Sequence, residues 1–185
     1  MKNKIVAIVG MCGAGKSEVS NIFKDKGLIR IRFGDITDDF LKKKNLKRNE
    51  KNERKIREEL RKKYGMAAYA YLNLKRIQES LKKTSVILDG LYSWEEYLLL
   101  KKKFGNKLLV IAVHATPGIR YLRLSRRKER PLSFKDSKER DKSEIENINK
   151  AGPIVMADYI LFNERKSLPK LRKEANRLWN VIKKS

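Results

Sequence analysis

Gly10-Met11-Cys12-Gly13-Ala14-Gly15-Lys16-Ser17 decides the reading of this chain, because it matches G-x-x-x-x-G-K-[ST] between an apolar strand and an amphipathic helix. Before it runs Lys4-Ile5-Val6-Ala7-Ile8-Val9, a β-branched stretch short enough for a buried parallel strand; after it Val19, Ile22 and Phe23 recur at helical spacing. Glycines let the loop wrap so that successive backbone N–H groups turn inward, and the following helix adds the positive end of its dipole, which together hold a polyphosphate. A nucleoside triphosphate site is therefore expected at Gly10, Cys12, Gly13, Ala14, Gly15, Lys16, Ser17 and Glu18. Lys16 would bridge the β- and γ-phosphates and the Ser17 hydroxyl would ligate Mg²⁺. The bland alternative is an ordinary glycine turn, against which stands the match of the whole pattern in the right context.

Outward from this loop, short apolar runs at residues 4–9, 29–33, 85–89, 108–114 and 159–162 alternate with helical patterns. Such alternation predicts an α/β fold: a five-stranded parallel sheet with helices on both faces. The interval between the second and third runs is far longer than one crossover helix needs, so a helical excursion is expected at about 36–83. Within it Ile56, Leu60 and Tyr64 line one face of a charged helix that Gly65 ends, and Ala67, Ala70, Leu74, Ile77 and Leu81 form the stripe of a core-packed helix. Trp94 to Phe104 predicts another helix, Pro117 suits the first turn of the next, Ser133 with Asp136 resembles a capping box, and Leu168 through Ile182 supplies the last.

A chain of 185 residues fits one α/β domain across residues 1–185. No apolar run approaches the roughly 20 residues of a membrane helix. The first strand begins within four residues and Cys12 is the single cysteine, so no signal peptide and no intrachain disulfide are expected, and a cytoplasmic location follows. Cys12 reads as oxidisable loop filler, and His114, the only histidine, as a core or hinge residue. The net charge of +24 pulls toward polyanionic partners. Its distribution weakens that pull, since the basic residues of Lys42 to Lys63, Arg120 to Lys142 and Arg165 to Lys184 interleave with glutamates like solvated helix faces.

These pieces together resemble the nucleotide-kinase branch of the P-loop NTPases: adenylate kinase, dephospho-coenzyme A kinase, and an adenylate-kinase-related family common in archaea. Gly34-Asp35 and Asp89-Gly90 look like adenylate kinase. Ala157 to Asn163 is similar to the C-terminal end of dephospho-coenzyme A kinases, and Val113-His114-Ala115 with the arginine-rich helix after it is similar to the archaeal family. The resemblance implies a nucleoside monophosphate kinase-like fold, ATP and Mg²⁺ as cofactors, and a short basic lid at about 126–134 ending in Arg127, Lys128 and Arg130. Asp35 and Asp89 stand at the carboxyl ends of parallel strands, where such sheets place ligands; they could orient Mg²⁺ or take a proton from the acceptor. Asp38 and Asp39 compete with Asp35. Arg123 and Arg127, one helical turn apart, could present their guanidinium forks on one face to a triphosphate, with Arg126 and Arg140 as second choices.

The kinase relatives place an arginine shortly after each of those aspartates, whereas this chain reads Ile36-Thr37-Asp38-Asp39 and Leu91-Tyr92-Ser93. The donor side is intact and the acceptor side altered. Arg48, Arg54, Arg57 or Arg61 could compensate, and their spacing selects none of them. The expected activity is ATP- and Mg²⁺-dependent phosphoryl transfer to a nucleotide-like acceptor, a nucleoside monophosphate or dephospho-coenzyme A. The rivals are a nucleotide-dependent switch and a nucleic-acid-associated NTPase.

Overall fold

The computed structural model describes residues 3–164 and 168–184; Arg165, at the head of the third basic stretch, lies outside the described residues. Strands β1 (Ile5–Val9), β2 (Ile29–Arg32), β3 (Val86–Asp89), β4 (Leu108–His114) and β5 (Tyr159–Phe162) form one sheet in the order β2-β3-β1-β4-β5. Every pairing is parallel. β1 at the centre is buried along its whole length, which is why its sequence is an unbroken apolar run rather than an alternating one.

Helices cover both faces. On one lie α1 (Lys16–Lys24) and α9 (Leu168–Lys184), joined through Val19, Phe23, Leu171, Ala175 and Ile182, with the rings of Phe23 and Trp179 5.7 Å apart. The opposite face packs α4 (Ala68–Lys83) and α5 (Trp94–Phe104), with α2 (Asp35–Lys43) and α3 (Glu50–Tyr64) beyond them. Each fully buried aliphatic or aromatic side chain in these clusters stabilises the fold by about 1.5–3 kcal/mol. α6 (Pro117–Ser125), α7 (Phe134–Glu146) and the short α8 (Ala151–Val155) complete the chain between β4 and β5.

The helix ends follow local chemistry. Ser93 with Glu96 and Ser133 with Asp136 form reciprocal capping boxes on α5 and α7. Gly65 closes α3 with a φ of 76°, its N–H donating to Arg61 O at 2.8 Å. α6 stops at Ser125, so Arg127 does not share a helical face with Arg123 as the spacing had suggested. The reason is that the Leu124 carbonyl accepts from Arg127 N and from Leu132 N, so the chain of the basic loop folds back onto the helix end. His114 is another correction: it is exposed at the end of β4, 3.5 Å from Glu164 and edge-on to Phe162, not packed in the core.

Candidate active site

The loop from Gly10 to Gly15 leaves β1 at the carboxyl edge of the sheet and feeds directly into α1. Gly10 has a φ of 139°, and a Cβ there would stand 2.3 Å from the Val113 carbonyl oxygen of β4. Gly15, at φ 104°, faces Asn163 as closely, its added Cβ falling 2.3 Å from Nδ2. Both glycines are thus demanded by backbone conformation and by close approach. Asn163 Nδ2 donates to Ala14 O at 2.8 Å, Arg123 donates to Asn163 O at 2.7 Å and Arg120 to Cys12 O at 3.1 Å. These bonds clamp the loop from outside.

Lys16 Nζ donates to Gly10 O at 2.8 Å and Met11 O at 3.0 Å, across the concave side of the loop. Burial, then the Lys150 charge, push its ammonium down from 10.5 to about 7. Lys150 is itself almost fully buried, paired with Glu144 at 2.5 Å and 4.6 Å from the centre of the Tyr92 ring. Burial opposes the Glu144 charge, but Lys150 and Arg140 outweigh it and hold that carboxyl below its ordinary value. Ser17 is exposed at the start of α1, and Glu18 lies in the same first turn. Cys12 is buried, which shields the thiol that the sequence suggested would be oxidisable.

Beside the loop opens a cleft of about 430 Å³ lined by Ser17, Arg30, Arg32, Gly34, Asp89 and Tyr92. Asp89 ends β3 and is held by Arg30, whose Nε lies 3.1 Å from Oδ2 and whose second guanidinium nitrogen bonds the same oxygen. Asp35 opens α2 and is paired with Arg76 of α4 at 3.1 Å and Arg32 at 3.4 Å. Ser17 and Asp89 therefore share one cleft. That pairing suits Mg²⁺, which keeps most of its waters and takes few protein oxygens. Arg127 is exposed in the loop after α6, while Arg123 lies against the phosphate loop, its Nη1 3.5 Å from Gly13 O. The two predicted arginines are not brought together.

Arg30, Arg32, Lys150 and Asn163 were missed as individual residues. The signal for the first two was legible: Ile29-Arg30-Ile31-Arg32 alternates, and arginines at i and i+2 on a strand ending in the cleft share a face. No pattern announced Lys150, which the segment before α8 brings over the Tyr92 ring, or the buried Arg120–Asp141 pair, bonded at 2.6 and 2.9 Å between α6 and α7. Asp38 lies 3.5 Å from Arg48, so its charge is partly compensated.

A family model described as an AAA domain matches residues 6–156. A UPF0200 protein of Sulfurisphaera tokodaii is 36% identical over 165 residues, covering 87% of this chain and 88% of its own. The chain belongs to the AAA-domain family and to the UPF0200 proteins. Another UPF0200 protein, of Thermococcus onnurineus, is 32% identical over 164 residues, covering 86% and 88% of the two chains. Among solved structures, shikimate kinase from Bacteroides thetaiotaomicron superposes with a TM-score of 0.62 at 14% identity, over 97% of this chain and 98% of its own. Dephospho-CoA kinase from Campylobacter jejuni gives 0.57 at 18% identity over 98% of each. At these identities the likeness is one of fold, and the fold of this UPF0200 protein is that of the P-loop kinases. Among the described residues, no helix is long and apolar enough to cross a membrane.

Proposed function

We propose that this protein is an ATP- and Mg²⁺-dependent phosphotransferase of the nucleotide-kinase type, acting on a nucleoside monophosphate or dephospho-coenzyme A. The observation that carries the reading is that Ser17 of the phosphate loop and the arginine-rich, aspartate-bearing ends of β2 and β3 open into the same cleft. A donor seated on the loop would direct its γ-phosphoryl group into that cleft. The loop amides and Lys16 hold the polyphosphate. Arg123 acts from beside Gly13, with Arg127 delivered by a short basic lid, residues 126–134, whose closure excludes water. Mg²⁺, held by Ser17 and steadied by Asp89, would neutralise phosphate charge. Asp35, next to Gly34 of the cleft lining, would take the proton of an acceptor hydroxyl, and Arg30 would keep Asp89 from rotating away.

The experiment is an assay of ADP release across nucleoside monophosphates, deoxynucleotides and dephospho-coenzyme A. Acceptor-dependent release is expected, with AMP a poor acceptor because Tyr92 offers a neutral hydroxyl where relatives of the adenylate-kinase type carry an arginine. Tyr92→Arg is expected to improve AMP. ADP release that no acceptor changes would replace this reading with a nucleotide-dependent switch.

A further inference from the structure

Four arginines of the helical excursion stood as equal candidates to meet the acceptor, and their surroundings now separate them. Arg48 pairs with Asp38 and Glu53, Arg54 with Glu58, and Arg57 with Glu50 and Glu53. Arg61 differs. Among the described residues its side chain makes no hydrogen bond and no ion pair, and its Nε is buried without a partner. A buried guanidinium N–H left unpaired costs on the order of 1–3 kcal/mol or more, so a fold keeps one where something else meets it.

What surrounds Arg61 points to the cleft. Its guanidinium carbon lies 5.9 Å from the centre of the Tyr69 ring. The Tyr69 hydroxyl shares a 2.6 Å hydrogen bond with Thr37, in the first turn of α2 directly after Gly34 on the cleft wall. The Glu96 carboxyl senses the Arg61 charge and accepts from the N–H groups of Tyr92, which also lines the cleft, and Ser93. Burial pushes that carboxyl up to about 7. Arg61 is thus a cation set among residues tied to Gly34 and Tyr92 of the cleft lining, with no side-chain hydrogen bond or ion pair of its own among the described residues.

We propose that Arg61 is the anion receptor of the acceptor side, binding a phosphate-monoester or carboxylate group that the acceptor carries apart from the oxygen that is phosphorylated. This rests on the phosphotransferase reading and narrows it to acceptors with such a group. The planar guanidinium fork suits either oxyanion, and the Tyr69 ring flanks it with its centre 5.9 Å away.

The test uses the full chain saturated with AMP-PNP and Mg²⁺, which occupies the phosphate loop. Inorganic phosphate and, separately, acetate are titrated while the melting temperature is followed. Phosphate, acetate or both are expected to stabilise the wild type, with Arg61→Gln weakening that response at least about tenfold. Arg54→Gln, an exposed pair elsewhere on the helix, should leave it unchanged. The arm that responds names the oxyanion. An equal response in Arg61→Gln, or none in the wild type, overturns the proposal; so does loss of AMP-PNP binding in that variant alone. If the wild type fails to bind AMP-PNP, the phosphotransferase reading itself falls. Should Arg61→Gln not fold, Arg61→Lys, which keeps the charge and loses the fork, is expected to weaken the response and serves the same comparison.

Discussion

Lys16 concentrates the donor chemistry in a single side chain. Because its ammonium is pushed down to about 7 from 10.5, the folded protein binds fewer protons than the unfolded chain between those values. The cost of burying that charge is full below about pH 7 and is relieved as pH rises toward 10.5. A bound polyphosphate restores the charged form, so ATP binding at pH 8 is expected to take up a fraction of a proton. Calorimetry in buffers of different ionisation enthalpy measures it; identical heats would show that Lys16 is already charged. Lys16→Ala should lower turnover about 10²-fold or more, as for loss of one preorganised donor. Arg123 and Arg127 make different predictions because their settings differ. Arg123→Ala removes bonds to Asn163 O and Gly13 O and should lower both the melting temperature and kcat. Arg127→Ala, from an exposed position, should lower kcat with the melting temperature unchanged. A raised KM for ATP as the sole defect of either variant would assign it to ground-state binding instead.

Between elements, the most telling contact joins the basic loop to the helical excursion. Arg130 takes a φ of 51°, a conformation uncommon for a residue with a side chain, and reaches Glu53 of α3 at 3.1 Å. Burial opposes the Glu53 charge, yet Arg130 and Arg48 outweigh it and hold the carboxyl below its usual range. The bridge therefore contributes above the ordinary carboxylate pKa and is lost as pH falls through the depressed value. Glu53→Gln is expected to cost no more than about 1 kcal/mol, because the arginines are largely solvated, and to speed tryptic cleavage after Arg126, Arg127 and Lys128. Unaltered cleavage would show that the loop is held elsewhere. Glu96 works in the reverse direction. Its carboxyl, pushed up to about 7, ionises in the unfolded chain first, so stability declines as pH rises from about 4.5 to 7. Glu96→Gln, which still accepts from Tyr92 N and Ser93 N, should flatten that decline in denaturant melts run from pH 5 to pH 7.5.

At the scale of the molecule, the net charge of +24 is the feature most open to misreading. Arg30, Arg48, Arg57, Arg120, Arg130 and Lys150 are each engaged by a carboxylate, and Arg54 with Glu58 and Arg140 with Glu144 form pairs one helical turn apart. These eight of the 46 Lys and Arg side chains thus work within the fold. Any binding to DNA or RNA is expected to fall steeply between 50 and 200 mM salt, as for sequence-independent phosphate contacts. ATP turnover should be indifferent to added nucleic acid at the higher salt. Stimulation there would favour the nucleic-acid-associated NTPase. Mg²⁺-ATP at about 100 times its Kd should stabilise the whole chain by roughly 2.7 kcal/mol.

Chain order alone determined the frame. Five apolar runs, the glycine-lysine-serine loop, Trp94 to Phe104 and the Ser133 capping box are local signals, written in periodicity and in hydrogen bonds between neighbours a few residues apart, and the strands and helices form where those signals stand. Tertiary structure decided what each charge does. Arg61 and Arg54 are indistinguishable as letters on one helix; only the packing of α3 on α4 leaves one beside Tyr69 without a partner and the other in solvent with Glu58. Arg127 left the face of Arg123 because Leu132, eight residues beyond Leu124, returned to donate to the Leu124 carbonyl at the end of the helix. The Arg120–Asp141 clamp and the Lys150–Tyr92 contact likewise join residues far apart in sequence. A periodic pattern reports which side of an element is buried. Which charge meets which depends on distances between elements, and those exist only once the chain has closed on itself.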